Sequence, residues 1–476
     1  MTGDEILDAM EHIDPELIGQ AENATGKKRR RPYWIAAVAA VLLLAIGFGS
    51  IFGGNRTLLA NQVAAAEYPK MAQKPNYDDY RNNYDAYSEA YKAWQKSQRQ
   101  QYNQPHGYAD SLTDFFSASM AQFLQGEGNP TYSPLNVYMA MAMLAETTGG
   151  NSRQQILDLF GVDTIEQLRQ QAGNVWNAHY SDDGETTLLL ANSLWLDDAY
   201  AFKKQTAQLL ADRYYASSFR GDLGTEELDK QLQAWLNENT DGLLKDQTQK
   251  VTLDPQTVFA LASTVYFSAG WDAKFSEGNT KDAVFHAPNG DLTTPFINKT
   301  ITQYTYYWGD NFGAIYLELT GDNRMWLILP DEGYTTTDIL ASEDYLRMTL
   351  NPGSWENNRT YKINLSLPKF DVVNEMDLIE GMKAMGVTDI FDYTVSDFTP
   401  MTDTPMLYVN QISHAARVTI DEKGCTAAAF TVINMEPGAM PPPELDEIDF
   451  ILDRPFLFIV SSRDHLPLFA GVVNEP

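Results

Sequence analysis

From Tyr33 to Phe52 the chain reads YWIAAVAAVLLLAIGFGSIF, twenty residues without a charge. At 1.5 Å rise per residue a helix of this length spans about 30 Å, the thickness of a bilayer core, so the pattern predicts a transmembrane helix. Further on, Tyr77, Tyr80, Tyr84, Tyr87, Tyr91 and Trp94 recur at spacings of three and four, which predicts a helix carrying one aromatic stripe. Asp110 to Leu124 keeps a helical period. Ser133-Pro134 opens another helix, SPLNVYMAMAMLAETTGG, closed by Gly149-Gly150. Leu228, Leu232, Trp235 and Leu236 repeat at helical spacing as well. Strand character marks TLLLANSLWL (187–196), TVFALASTVYF (257–267), MWLILP (325–330), YKINLSLPKF (361–370) and FLFIVS (456–461). Helices and strands mix without βαβ regularity, so an α+β domain is expected over 109–476.

The other segments follow from composition. Residues 1–32 form a short charged tail ending in Lys27-Lys28-Arg29-Arg30-Arg31, and this basic run ahead of the 33–52 helix places the N-terminus in the cytoplasm. A cleaved signal peptide is the rival, but Ala64-Ala65-Ala66 lies too far beyond the apolar run. The expectation is a single-pass membrane protein with all that follows the anchor outside the cell. Residues 53–108, rich in Asn, Gln, Tyr and Lys, read as a stalk. A semi-rigid spacer is the simplest use of it; self-association, packing on the following domain and contact with cell-wall material compete for the aromatic stripe.

Charge sharpens the choice of partner. The chain carries 64 acidic against 34 basic residues, a net charge of −30. Nearly all of the excess lies beyond the apolar run. Such a surface repels nucleic acid and attracts cationic partners, besides keeping the domain soluble. The single cysteine, Cys425, excludes an intramolecular disulfide framework. No CxxC pair or histidine cluster suggests a metal, and no cofactor is expected.

The stretch Asp421 to Pro443, DEKGCTAAAFTVINMEPGAMPPP, has two unlike halves. Gly424 to Glu436 is free of proline and built of small or β-branched residues. Pro437 to Pro443 holds four prolines in seven residues, which cannot enter a sheet because proline lacks the ladder donor. In an extended first half, Cys425, Ala427, Ala429, Thr431, Ile433 and Met435 share one face, and Thr426, Ala428, Phe430, Val432, Asn434 and Glu436 the other. The first face carries no charge and is the one to turn inward. Cys425 with His414 also makes a thiol-protease pair by residue type; the competing reading is a lone buried thiol.

Six segments in register resemble the serpin family, and the resemblance covers roughly 109–476. They are SPLNVYMAMAMLAETTGGNSRQQI (133–156), LQAWLNENTDGLL (232–244), STVYFSAGWDAKF (263–275), LSLPKF (365–370), VNQISHAARVTIDEKGCTAAAFT (409–431) and RPFLFIVSSRDHLPLFAGVVNEP (454–476). The resemblance implies a serpin fold of three β-sheets, surrounding helices and an exposed reactive-centre loop, here in a membrane-anchored, bacterial member. It implies an inhibitor, not a catalyst: a target protease cuts the loop, and the loop inserts into the main sheet with the acyl-enzyme still attached.

The hinge implied is Glu422, Gly424, Cys425, Thr426, Ala427, Ala428 and Ala429. The reactive bond is Gly438-Ala439, or Ala439-Met440 in the neighbouring register. Ser133, Asn136, Ser263, His414 and Trp271 fall at positions of the family's conformational switch. Asn136 stands where Ser is common and Ser263 where Asn is common, which suggests an exchange that keeps one amide and one hydroxyl in a shared network. Cys425, Thr426 and Phe430 depart from the Thr or Ser, the Glu and the small residue usual at their positions. A small residue ahead of the bond points to an elastase-like serine protease as partner in a covalent acyl complex. The alternative function is a non-inhibitory serpin-fold binding or adhesion protein tethered to the cell surface.

Overall fold

In this computed structural model, residues 62–69, 71–81, 83–184, 186–425 and 445–476 are described. The apolar run at 33–52, and Thr426 to Pro443 with the reactive bond, lie outside the described residues. Among the described residues no helix is long and apolar enough to cross a membrane.

The helix Pro134–Thr147 is the buried axis of the domain. Ser133 caps it, its Oγ accepting from the Asn136 N–H at 3.2 Å, and Pro134 takes the first helical position. All of its residues except Ala140 are buried, as a helix that is apolar on every side requires. It packs on the strand Phe259–Gly270 of one sheet and on Pro467–Val473 of the other.

The first sheet runs Gln62–Ala64, Ala216–Gly221, Thr186–Asp197, Phe259–Gly270, Gly424–Cys425, Ser413–Ile420, Phe370–Asp377, with Ser181–Asp182 hung on Thr186–Asp197. Thr186–Asp197 is buried on both faces, which explains its near-continuous apolar run. Leu188, Leu190 and Leu194 face the main core, while Ala191 and Trp195 pack with Leu228, Leu232 and Trp235 of the helix Glu226–Glu238 on the other side. The sheet is therefore sandwiched between two helices.

The remaining strands correct one expectation. Three sheets are implied by the resemblance, but among the described residues the strands form two hydrogen-bonded networks. The nineteen-residue strand Gly290–Trp308 causes the fusion. Phe296 to Tyr307 pairs with Asn358–Pro368, and the last two residues, Tyr307 and Trp308, pair with Ala314 and Gly313 of the next strand. One long strand thus bridges what would otherwise be separate sheets.

The segment read as a spacer does not stand off from the domain. Gln62–Ala64 is an edge strand of the first sheet, and residues 62–69 alternate half-buried and exposed. The aromatic stripe does lie on a helix, Tyr84–Tyr102, with Tyr87, Tyr91 and Trp94 in successive ring contact at 5.9 and 5.3 Å.

Candidate functional site

The hinge is built by a tight turn. Strand Ser413–Ile420 ends at Asp421, whose Oδ1 accepts from Lys423 N–H at 2.7 Å and Gly424 N–H at 3.2 Å. The Asp421 N–H donates to the Gly424 carbonyl at 3.2 Å, which closes the turn. The chain reverses, so that Cys425 lies opposite Ile420 on one side while Gly424 and Cys425 lie opposite Gly270 and Ala269 on the other. Glycine is required here by close approach: a Cβ at 424 would sit 2.3 Å from the Ala269 carbonyl oxygen.

Two side chains fasten the turn. Trp271 is buried, and its indole N–H donates to the Asp421 carbonyl at 2.8 Å while its backbone N–H donates to the Lys423 carbonyl at 3.0 Å. Glu422 accepts from the Thr280 hydroxyl at 2.7 Å and from Lys369 Nζ at 2.9 Å. Burial pushes the Glu422 carboxyl up, but the hydrogen bonds from Thr280 and Lys369 outweigh it and hold the group below its ordinary value. Cys425 is fully enclosed, and burial, aided by the nearby Asp421 charge, pushes its thiol up to about 12. That thiol stays protonated and is a poor nucleophile.

Among the described residues no strand lies between the two neighbours of the hinge beyond Cys425. Phe259–Gly270 and Ser413–Ile420 each pair with Gly424–Cys425, yet they form no ladder with one another. Residues 259–263 are half-exposed in mid-sheet, whereas 264–269 are buried. A cleft of about 840 Å³ runs here, with Leu232 and Leu236 on one side and Asn136, Ala140 and Leu144 on the other. Two facing strand edges held apart in this way form a template for an added strand.

A second cluster lies along this cleft. His414 is buried, and its Nε2 accepts from the Ser133 N–H at 3.0 Å. That bond assigns the ring proton to Nδ1. Burial alone drives the imidazole down to about 4, so it is neutral. Ser133 Oγ donates to the Leu468 carbonyl at 2.6 Å. Asn136 Nδ2 donates to the backbone carbonyl of Ser263 at 3.2 Å, and its Oδ1 is buried without a protein partner.

The structure therefore divides the expected residues. Glu422, Gly424, Cys425 and Trp271 gather at the hinge; Ser133, Asn136, Ser263 and His414 gather some six residues further down the strand, about 20 Å away. Trp271 belongs to the first group and not to the second. The Cys425–His414 pair is excluded by that separation. The exchange between positions 136 and 263 joins an amide to a backbone carbonyl, so the Ser263 hydroxyl is not the partner of Asn136. Thr426, Ala427, Ala428, Ala429, Gly438 and Ala439 lie outside the described residues. Sequence reading missed Lys369, Thr280 and Asp421 as hinge fasteners; only Asp421, as an Asx residue three positions before a glycine, carried a local signal.

A family model described as Serpin (serine protease inhibitor) matches residues 111–476. Serpin-ZX of Arabidopsis thaliana is 29% identical over 370 residues, covering 73% of this chain and 92% of that protein. Alpha-1-antitrypsin-like protein GS55-MS of Ictidomys tridecemlineatus is 26% identical over 388 residues, covering 79% and 91%. Among solved structures, the thermophilic serpin tengpin in its native state superposes with a TM-score of 0.69 at 22% identity, covering 79% of this chain and 95% of tengpin. Arabidopsis AtSerpin1 in its native stressed conformation gives 0.66 at 25% identity, covering 78% and 98%.

Proposed function

This chain belongs to the serpin family, and from that premise we propose that it is a suicide-substrate inhibitor of serine proteases that traps its target by inserting the cut loop as a continuation of the strand Gly424–Cys425. The observation that carries the reading is the hinge. Its first two residues already stand as a strand between Phe259–Gly270 and Ser413–Ile420, at the head of a cleft whose edges can accept more. If Gly438 is the residue acylated, the fourteen steps from Gly424 extend about 46 Å at ~3.3 Å each. Gly424 and Cys425 are already paired, so the proline-free residues Thr426 to Glu436 add eleven ladder positions. At ~0.5–1.5 kcal/mol each, these give on the order of 6–17 kcal/mol gross, comparable with the stability of a whole domain. That is sufficient to distort an attached active site and stall deacylation.

The finer assignments follow from residue chemistry. Gly438 or Ala439 ahead of the bond fits a small or occluded specificity pocket, so the target is an elastase-like serine protease held as a covalent acyl complex. The apolar run Tyr33 to Phe52 tethers the inhibitor to the membrane with its N-terminus in the cytoplasm and the domain outside. Incubation with an elastase is expected to yield an SDS-stable complex and cleavage at one bond between Gly438 and Met440. Complete turnover with no complex, together with identical melting of nicked and intact protein, would refute inhibition and leave the tethered binding protein.

A further inference from the structure

The segment from Gln62 to Tyr102 precedes the family match, which begins at residue 111, yet it is fastened to the sheet that must widen. Gln62 and Ala64 pair with Phe219 and Ser218 at the sheet's outer edge, and the Ala66 N–H donates to Ser217 Oγ at 3.2 Å. Tyr68 packs against a cluster of aromatic rings, 5.6 Å from Tyr180, 5.9 Å from Tyr215 and 6.0 Å from Trp176 of the helix Ile165–His179. The helix Tyr84–Tyr102 then grips the turn before Thr186–Asp197. Trp94 Nε1 and Gln98 Nε2 both donate to Asp183 Oδ2, at 3.2 and 2.9 Å, and the Lys74 N–H donates to the Asp183 carbonyl at 2.7 Å.

From Asp183 the hydrogen bonds continue to the hinge. Asp183 Oδ1 accepts from Thr186 N–H at 3.0 Å, and Thr186 Oγ1 donates to Thr320 Oγ1 at 3.1 Å. The same Thr320 oxygen accepts from the Gly270 N–H at 3.2 Å, and Gly270 is the ladder partner of Gly424. We propose that residues 62–102 are an intramolecular clamp that sets the rate of loop insertion, holding the outer strands, the helix Ile165–His179 and the Asp183 turn as one body. This rests on the insertion reading above. Extending the strand beyond Cys425 displaces Thr186–Asp197 and Phe259–Gly270 from Ser413–Ile420, and the clamp resists that displacement from the far edge.

The test uses the full-length chain in detergent, as wild type and as the double variant Trp94→Ala/Gln98→Ala, with Lys92→Ala on the helix's exposed face as control. Uncleaved protein is held at a mildly elevated temperature, and samples are scored for resistance of the loop to a broad-specificity protease. The double variant is expected to become resistant at least about tenfold faster than wild type, equivalent to ~1.4 kcal/mol in the barrier, with the control unchanged. If the double variant does not fold, Gln98→Leu removes one arm of the grip and is expected to show a smaller acceleration. Equal or slower conversion in the variants overturns the clamp, provided that nicking the wild-type loop raises its melting temperature. If nicking raises nothing, the insertion reading falls and the clamp with it.

Discussion

A methyl group on residue 424 would overlap the Ala269 carbonyl oxygen, so any side chain there must push the hinge strand out of the sheet. The buried Cys425 thiol, the only one in the chain, reports that movement directly. Wild-type protein is expected to react with a disulfide reagent at least about a hundredfold more slowly than unfolded chain, because a thiol this enclosed reacts only when the hinge opens. Gly424→Val should bring the rate most of the way to the unfolded value; an unchanged rate would show that the hinge tolerates a side chain. His414 offers a second residue-scale test. Its folded value near 4, against an ordinary 6.5, means that the unfolded chain binds the extra proton between those limits. The contribution of His414 to stability is therefore full above pH 6.5, declines as pH falls toward 4, and flattens below, with a total of about 3 kcal/mol. In His414→Gln, denaturant midpoints at pH 7 and 4.5 should differ less than in wild type; equal differences would assign the acid limb to other groups.

Three helices meet at one carboxylate. Glu146, at the end of Pro134–Thr147, accepts from Arg169 Nε at 2.8 Å, Arg169 Nη2 at 2.9 Å and the Tyr214 hydroxyl at 2.9 Å. These partners come from the helices Ile165–His179 and Lys204–Tyr214. Glu146→Ala leaves the partly buried Arg169 guanidinium with only the distant Glu166 carboxylate, at 4.0 Å, and should cost about 3 kcal/mol, measured by urea unfolding. Glu146→Gln should lose less, because the amide oxygen still accepts from Arg169 Nε and Tyr214 although the amide nitrogen then faces Arg169 Nη2 donor to donor. Such ties are invisible in the sequence, since their members lie up to 68 positions apart. Legible elements were those whose own residues decide their state. Pro134–Thr147 announced itself by a capped, all-apolar pattern, and Thr186–Asp197 by its continuous apolar run. Gly290–Trp308 did not, because its mixture of Thr, Tyr and Asn, exposed or half-exposed along most of its length, becomes a strand only through its partners. The aromatic stripe of Tyr84–Tyr102 showed a helix, but nothing local showed that Trp94 reaches Asp183. Positions 136 and 263 lie together, but the bond joins an amide to a backbone carbonyl, where the sequence suggested an amide and a hydroxyl.

At the scale of the whole molecule, the proposed inhibition separates encounter, which charge would steer, from fate, which the hinge would decide. Nearly the full net charge of −30 lies beyond the apolar run, and the described surface ion pairs, such as Lys230 with Glu226 and Arg347 with Glu343, match one basic group to one acidic group and leave that surplus unchanged. Exposed pairs like these add little stability, so the surplus acts chiefly as a long-range field. A cationic protease approaching this surface is steered, and the steering is screened once the Debye length falls from ~14 Å at about 0.05 M salt to ~4 Å at about 0.5 M. The association rate with a cationic elastase should therefore drop about tenfold or more over that range, while the fraction of encounters ending in trapped complex stays constant, because partition depends on loop insertion after acylation. Stopped-flow association and gel quantification of complex against cleaved inhibitor separate the two quantities. A salt-independent rate would remove electrostatic steering from the account, and a partition that shifts with salt would show that the acidic surface also acts after the loop is cut.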